Sequence, residues 1–92
     1  MTYRLLPWTT PEGNPCYLST DGPDSLMSRV ADDIEEAQLA SGTQVLAGAR
    51  AVLADRAAGE RAVRFALTRA AESLEDVLRV AVSRGGRAAG GS

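Results

Sequence analysis

The chain has 92 residues, with 10 basic residues, all of them arginine, against 12 acidic ones, and a formal net charge of −2. A chain of this length forms one small domain, whose core gives marginal stability unless a disulfide, a metal or a second subunit adds to it. A single cysteine excludes an intrachain disulfide. The absence of histidine excludes the usual zinc sites and a Ser-His or Cys-His catalytic pair. Oligomerisation therefore remains as the source of additional stability, and no cofactor or metal is expected.

Residues 1–21 are predicted to form a β-hairpin ribbon. Tyr3–Trp8 and Cys16–Thr20 have the composition of two short strands, and the segment between them places Pro11 and Gly13 as a turn requires. An isolated two-stranded hairpin is not stable in water. The ribbon must therefore lie on the helices that follow.

Trp8 and Tyr17 have two interpretations. They either cover the helical core, which is the commoner use of aromatic side chains, or form a partner-docking surface, and both are retained as candidate partner-binding residues. Cys16 has no neighbouring basic residue that would activate its thiol, so it is predicted to be a small structural hydrophobe.

Residues 24–84 are predicted to form a long antiparallel αα-hairpin. Asp24 or Ser25 caps the first helix, which runs to Leu53 and is continuous unless it breaks at Gly42. It carries two offset apolar stripes, and the second gives three further candidate partner-binding residues. The first stripe is Leu26, Val30, Ile34 and Ala37, and the second is Leu39, Leu46 and Leu53.

The second helix contains one long apolar seam, which is expected to pack against a partner helix. Asp55 is predicted to cap this helix, which makes the connection short and the two helices antiparallel. Gly85-Gly86 is predicted to end it, so that residues 85–92 form a disordered tail. The seam consists of Val63, Leu67, Ala70, Leu74, Val77 and Ala81.

Three small residues in the first helix, Gly42, Gly48 and Ala49, either allow a second helix to approach closely or reflect only the high Ala and Gly content. The sequence favours neither interpretation over the other.

The charged residues are unevenly distributed. The run Asp32-Asp33-Ile34-Glu35-Glu36 could offer oxygens to a divalent cation, but a solvated acidic face, partly neutralised by Arg29, is favoured because one helix face provides too few convergent ligands. In an antiparallel hairpin, Arg79 and Arg84 are expected to meet this acidic run. That neutralisation weakens a nucleic-acid interpretation, which requires an unneutralised basic stripe.

The segment Leu6-Pro7-Trp8-Thr9-Thr10-Pro11-Glu12-Gly13-Asn14-Pro15-Cys16-Tyr17-Leu18-Ser19-Thr20-Asp21 resembles the N-terminus of small uncharacterised proteins of high-GC actinomycetes. The resemblance implies a bacterial cytoplasmic setting and carries over no functional residue.

The expected architecture is mainly α: a long antiparallel αα-hairpin preceded by a short N-terminal β-hairpin, in one domain over residues 1–84, dimerising into a helical bundle. No signal-peptide layout or membrane-spanning run is present, so a cytoplasmic location is expected. The predicted function is a non-enzymatic, homodimeric protein–protein interaction module with a regulatory or scaffolding role. The alternative is a nucleic-acid-associated regulator that uses the arginine-rich second helix, and a small carboxylate enzyme would need a cleft that this fold scarcely provides.

Overall fold

A computed structural model describes residues 2–20 and 26–90. Strands β1 (Thr2–Thr9) and β2 (Pro15–Thr20) form an antiparallel ribbon, and helices α1 (Leu26–Ala54) and α2 (Glu60–Gly90) form a hairpin. The predicted fold class, mainly helical with an N-terminal β-hairpin, is confirmed. The predicted caps at Asp24 and Ser25 lie outside the described residues.

The ribbon turn is built by the residues that the sequence analysis assigned to it. The Gly13 amide donates to the Thr10 carbonyl at 2.9 Å, which closes a β-turn with Pro11 at its second position. Gly13 has a φ of 86°, a left-handed conformation that favours glycine. The Asn14 amide also donates to the Thr10 hydroxyl at 3.1 Å. The register shifts between Leu5 and Thr9, where Pro7 lies within β1.

The connection between the helices corrects one prediction. Helix α1 is continuous through Gly42, as the sequence analysis favoured. Asp55, however, does not cap α2: its carboxylate accepts from the Ala57 amide at 2.9 Å, a local turn within the connection. The first hydrogen bond of α2 runs from the Val63 amide to the Gly59 carbonyl at 3.1 Å, so Gly59 occupies the N-cap position.

The predicted stop at Gly85-Gly86 is wrong. Helix α2 continues to Gly90, so residues 85–90 are helical where the sequence analysis expects a disordered tail. A glycine ends a helix by adopting a left-handed conformation, and among the described glycines only Gly13 has a positive φ. Within a right-handed turn each glycine costs only about 1 kcal/mol relative to alanine, which does not by itself end a helix.

Small residues form the contact between α1 and α2. A Cβ placed on Gly42 would lie 3.3 Å from both Ser73 Oγ and Val77 Cγ2, so this glycine permits a close approach of the helices. At Gly48 the same Cβ would meet nothing within 4 Å, so there the compositional interpretation applies. The buried or half-buried positions of α1 centre on one heptad stripe, and Ile34 and Leu39 are half-buried beside it. The stripe consists of Ser28, Ala31, Glu35, Gln38, Gly42, Val45, Ala49 and Val52.

Helix α2 contacts α1 through a matching stripe of small residues. The predicted seam therefore lies partly outside the contact between the helices, contrary to expectation. Val80 is buried and Ala66, Ala70 and Ser73 are half-buried, whereas Leu74, in the middle of the predicted seam, is 58% exposed. The seam therefore does not pack as a whole against α1. Ala70 and Val77 lie at its inner edge, and its leucines lie outside the contact.

The edge of β1 that is not paired with β2 is docked on both helices. Ser83 Oγ of α2 donates to the Leu5 carbonyl at 2.9 Å, and Gln38 Nε2 of α1 donates to the Pro7 carbonyl at 2.8 Å. These two bonds satisfy carbonyls that would otherwise be exposed on a strand edge. Leu6 is buried beneath the ribbon, so the ribbon closes one end of the helical hairpin.

A buried ionic network, the Arg4 network, joins the ribbon to the hairpin. Arg4 is 7% exposed; its guanidinium donates to the Ser28 carbonyl at 2.9 Å and to Asp32 Oδ1 at 2.6 Å. Glu35, 1% exposed, lies 3.4 Å from Arg4 Nη2 through Oε2 and 3.5 Å from Arg84 Nε through Oε1. The acidic run thus receives its counter-charges from Arg4 and Arg84 across the fold.

The expected contact of Arg79 with the acidic run is wrong. Arg79 pairs within its own helix, with Asp76 at 3.3 Å.

We expect Arg4→Met to lower the free energy of unfolding by about 3 kcal/mol, because it leaves a buried carboxylate with half of its counter-charge. Trp8 is the only tryptophan of the chain, so its fluorescence reports detachment of the ribbon, while circular dichroism reports the helices. The matched control is Arg29→Met, at an exposed position of α1, which should change stability by no more than about 0.5 kcal/mol. Equal effects of the two substitutions would contradict an anchoring role for Arg4.

Gly48→Ala should raise the free energy of unfolding by about 0.5–1 kcal/mol, because alanine has the higher helix propensity and the added methyl has open space. Gly42→Ala should raise the free energy of unfolding by a smaller amount, since its methyl group must displace Ser73 or Val77. Chemical denaturation of the two variants tests the close approach directly, and equal gains would show that the helices are not held together at Gly42.

Candidate protein interaction surface

Leucines that the fold leaves uncovered lie together on one side of the helical hairpin. Leu46 of α1 is 50% exposed and Leu74 of α2 is 58% exposed, and both line the same groove with Leu39. Leu67 and Leu78 lie seven residues before and four residues after Leu74, so helical periodicity places them on the same side of α2. We call these five leucines the leucine face.

The sequence produces this face because each helix carries two apolar stripes rather than one. On α2, the stripe of small residues through Ala66, Ala70 and Ser73 contacts α1, and the stripe that contains Leu67 and Leu74 is rotated away from that contact. Small side chains let the helix axes approach closely, and larger side chains on the adjacent stripe then lie beyond the line of contact.

The groove at the leucine face is uncharged. Its volume is about 470 Å³, and large side chains alternate in it with small ones. The lining residues are Leu39, Gly42, Thr43, Val45, Leu46, Ala49, Ala70, Ser73, Leu74 and Val77.

A second groove lies on the opposite side of the hairpin and is more polar. Its volume is about 350 Å³, and Phe65, which is 68% exposed, lines it together with Arg69 and Gln44. Arg69 also pairs with Glu72 at 3.7 Å along α2. The polar side chains distinguish this groove from the leucine face.

The structure brings only two of the five predicted partner-binding residues together. Leu39 and Leu46 share the uncharged groove, whereas Leu53, 79% exposed, lies at the end of α1 beside the connection. Tyr17 is exposed on β2 and Trp8 is half-buried on β1, outside the lining of that groove. The ribbon aromatics and the helical leucines are therefore separate features.

Sequence reasoning missed Leu67 and Leu74 as surface residues because it assigned both to the seam that packs against a partner helix, and it did not single out Leu78. A signal was present: the side of α2 from Val63 to Ala81 that contains them carries no charged residue, although most of the helix surface does. An uncharged stripe of this length beside a separate stripe of small residues indicates two contact faces on one helix.

The carboxylates of α1 serve the fold rather than converging on a cleft. Asp32 and Glu35 bind Arg4, while Asp33 and Glu36 are exposed. Over residues 2–20 and 26–90 there is no group of three or more His, Cys, Asp or Glu side chains that could hold a metal ion. Cys16 is half-buried on β2, and its low reactivity stays a prediction.

Comparison of the chain with protein families, with curated proteins and with solved structures found no match. Over their described residues, neither α1 nor α2 combines the length and the apolar character needed to cross a bilayer.

Proposed function

We propose that this chain is a non-enzymatic protein–protein interaction module of the bacterial cytoplasm, with a regulatory or scaffolding role, and that it binds through the leucine face. The partner contributes an apolar helical surface. The observation that supports this function is the exposure of Leu46 and Leu74, 50% and 58%, on a groove without charged residues. Contiguous apolar surface of this kind marks a binding site on a small folded chain.

Side-chain pairing favours an interaction module over the two alternatives. A carboxylate enzyme needs free acidic groups in a pocket, but Asp32 and Glu35 are engaged with Arg4. A nucleic-acid binder needs a continuous basic stripe. On α2, Arg69, Arg79 and Arg84 pair with Glu72, Asp76 and Glu35, respectively. Arg61 and Arg64, which form no salt bridge among the described residues, lie together near the start of α2 and do not extend into a continuous stripe.

The test is affinity capture from the native host with tagged, full-length protein, in cells that also express an untagged copy. Leu46→Glu/Leu74→Glu should lose at least about tenfold of every partner bound at the leucine face, because a carboxylate buried in an apolar interface without a counter-charge is strongly unfavourable. Captured proteins, the untagged copy included, are quantified by mass spectrometry. Both substituted positions are half exposed, so the double variant should keep its helical circular dichroism.

Ala51→Glu is the matched control. Ala51 is exposed and lies about 140° around α1 from Leu46, and the substitution adds the same charge on a different side of the helix. Capture by this variant should equal that of the wild-type chain. If Leu46→Glu/Leu74→Glu retains every partner that the control retains, the leucine face is not a binding surface and the proposed function fails.

A further inference from the structure

We propose that the leucine face binds a second copy of this chain, with α1 antiparallel to α1 of the partner copy and α2 antiparallel to α2. This inference rests on the proposed function and names the partner of the same surface. The two-fold axis runs across the helices at the level of Thr43, and the two ribbons lie at opposite ends of the resulting four-helix bundle.

The apolar residues of the face match one another along α1. In an isologous interface the same patch serves both copies, so apolar side chains of the patch must meet apolar side chains of the same patch. Rotation about an axis near Thr43 places Leu39 of one copy opposite Leu46 of the other. Gly42 and Ala49, small residues of the same groove, leave room beside these leucines.

The same axis gives a matching arrangement on α2. Gly42 lies against Ser73 and Val77, so the level of the axis on α2 falls close to Leu74. Leu74 then meets its own symmetry mate. Leu67, seven residues before this point, lies opposite Ala81, seven residues after it, so a large side chain faces a small one.

Charge selects this orientation over the alternative two-fold arrangement. Glu36 and Arg50 are exposed on the stripe of α1 that contains Thr43, seven residues to either side of it. Over the described residues, neither side chain forms a salt bridge within the chain. The antiparallel pairing of α1 with α1 brings Glu36 of each copy to Arg50 of the other. Pairing of α1 with α2 about an axis along the helices does not bring them together.

The dimensions of the face suit a dimer. From Val63 to Val82 the uncovered side of α2 rises about 28 Å, and two adjacent helices are about 20 Å wide. The footprint is thus about 560 Å² before side-chain relief is counted, which is the order of the 800 Å² or so that a standard interface takes from each partner.

Charge exchange tests the proposal, with sedimentation equilibrium of the full-length chain from about 1 to 100 µM at low salt. The wild-type chain, of 9.6 kDa, should sediment at twice that mass. Glu36→Arg and Arg50→Glu should each raise the dimer dissociation constant about tenfold, because each replaces two attractive pairs by two repulsive ones. The double variant Glu36→Arg/Arg50→Glu should return to within about threefold of wild type, and the differences should shrink in 1 M salt.

Asp33→Arg is the matched control, since it makes the same charge change at an exposed position about 140° around α1 from Leu46, facing away from the leucine face, and should leave dimerisation unchanged. If the chain is a monomer at 100 µM, the proposal that a second copy binds the leucine face is wrong. The proposed function is then still tested by the capture of other proteins. A dimer that Asp33→Arg weakens as much as Glu36→Arg, or that the double variant does not recover, overturns the antiparallel arrangement. A dimer unaffected by Leu46→Glu/Leu74→Glu overturns the leucine face itself.

Discussion

The buried contact between Arg4 and Glu35 is the interaction on which the rest of the structure depends. Glu35 on α1 receives Arg4 from β1 and Arg84 from α2, so one carboxylate joins three elements. Neither part of the fold is stable alone. A two-stranded ribbon is unstable in water, and a hairpin whose helices touch mainly through small residues and valines buries little apolar surface. Desolvation offsets much of the attraction in a buried pair, so its largest effect is to disfavour arrangements that separate the charges.

Anchoring at that point gives the two ends of the molecule different properties. At the ribbon end, Leu6, Ala31 and Val80 are buried and the carbonyls of β1 are satisfied by side chains of both helices. Beyond the reach of the ribbon, nothing covers the leucine face in the described chain. The same small residues that let α1 and α2 approach at Gly42 are the reason that the leucines lie outside their contact. Close helix packing and an exposed binding surface are therefore two consequences of one stripe of small residues.

Local features were predictable because they depend on residues close together in the chain. The turn at Pro11 and Gly13 and the antiparallel helices are all present. The errors arose where a local signal was given more weight than its energy allows. Two glycines at 85 and 86 cost about 2 kcal/mol in helix propensity, and α2 continues through them to Gly90. Asp55 has the residue type of a cap, yet its carboxylate is engaged by the Ala57 amide and Gly59 begins α2.

The sequence by itself determined that two amphipathic helices follow a short ribbon, because the spacing of apolar residues defines a helix and its stripes. Only the tertiary structure decided which stripe faces inward. The reason is that periodicity gives the direction in which a side chain points around the helix axis, but not how deeply that side chain is buried in the fold. Leu74 and Ala70 belong to one predicted seam, but the approach of α1 at Gly42 half-buries Ala70 and leaves Leu74 exposed. The partners of the acidic run were likewise decided in three dimensions, because Arg4 reaches Glu35 only when the ribbon lies across both helices.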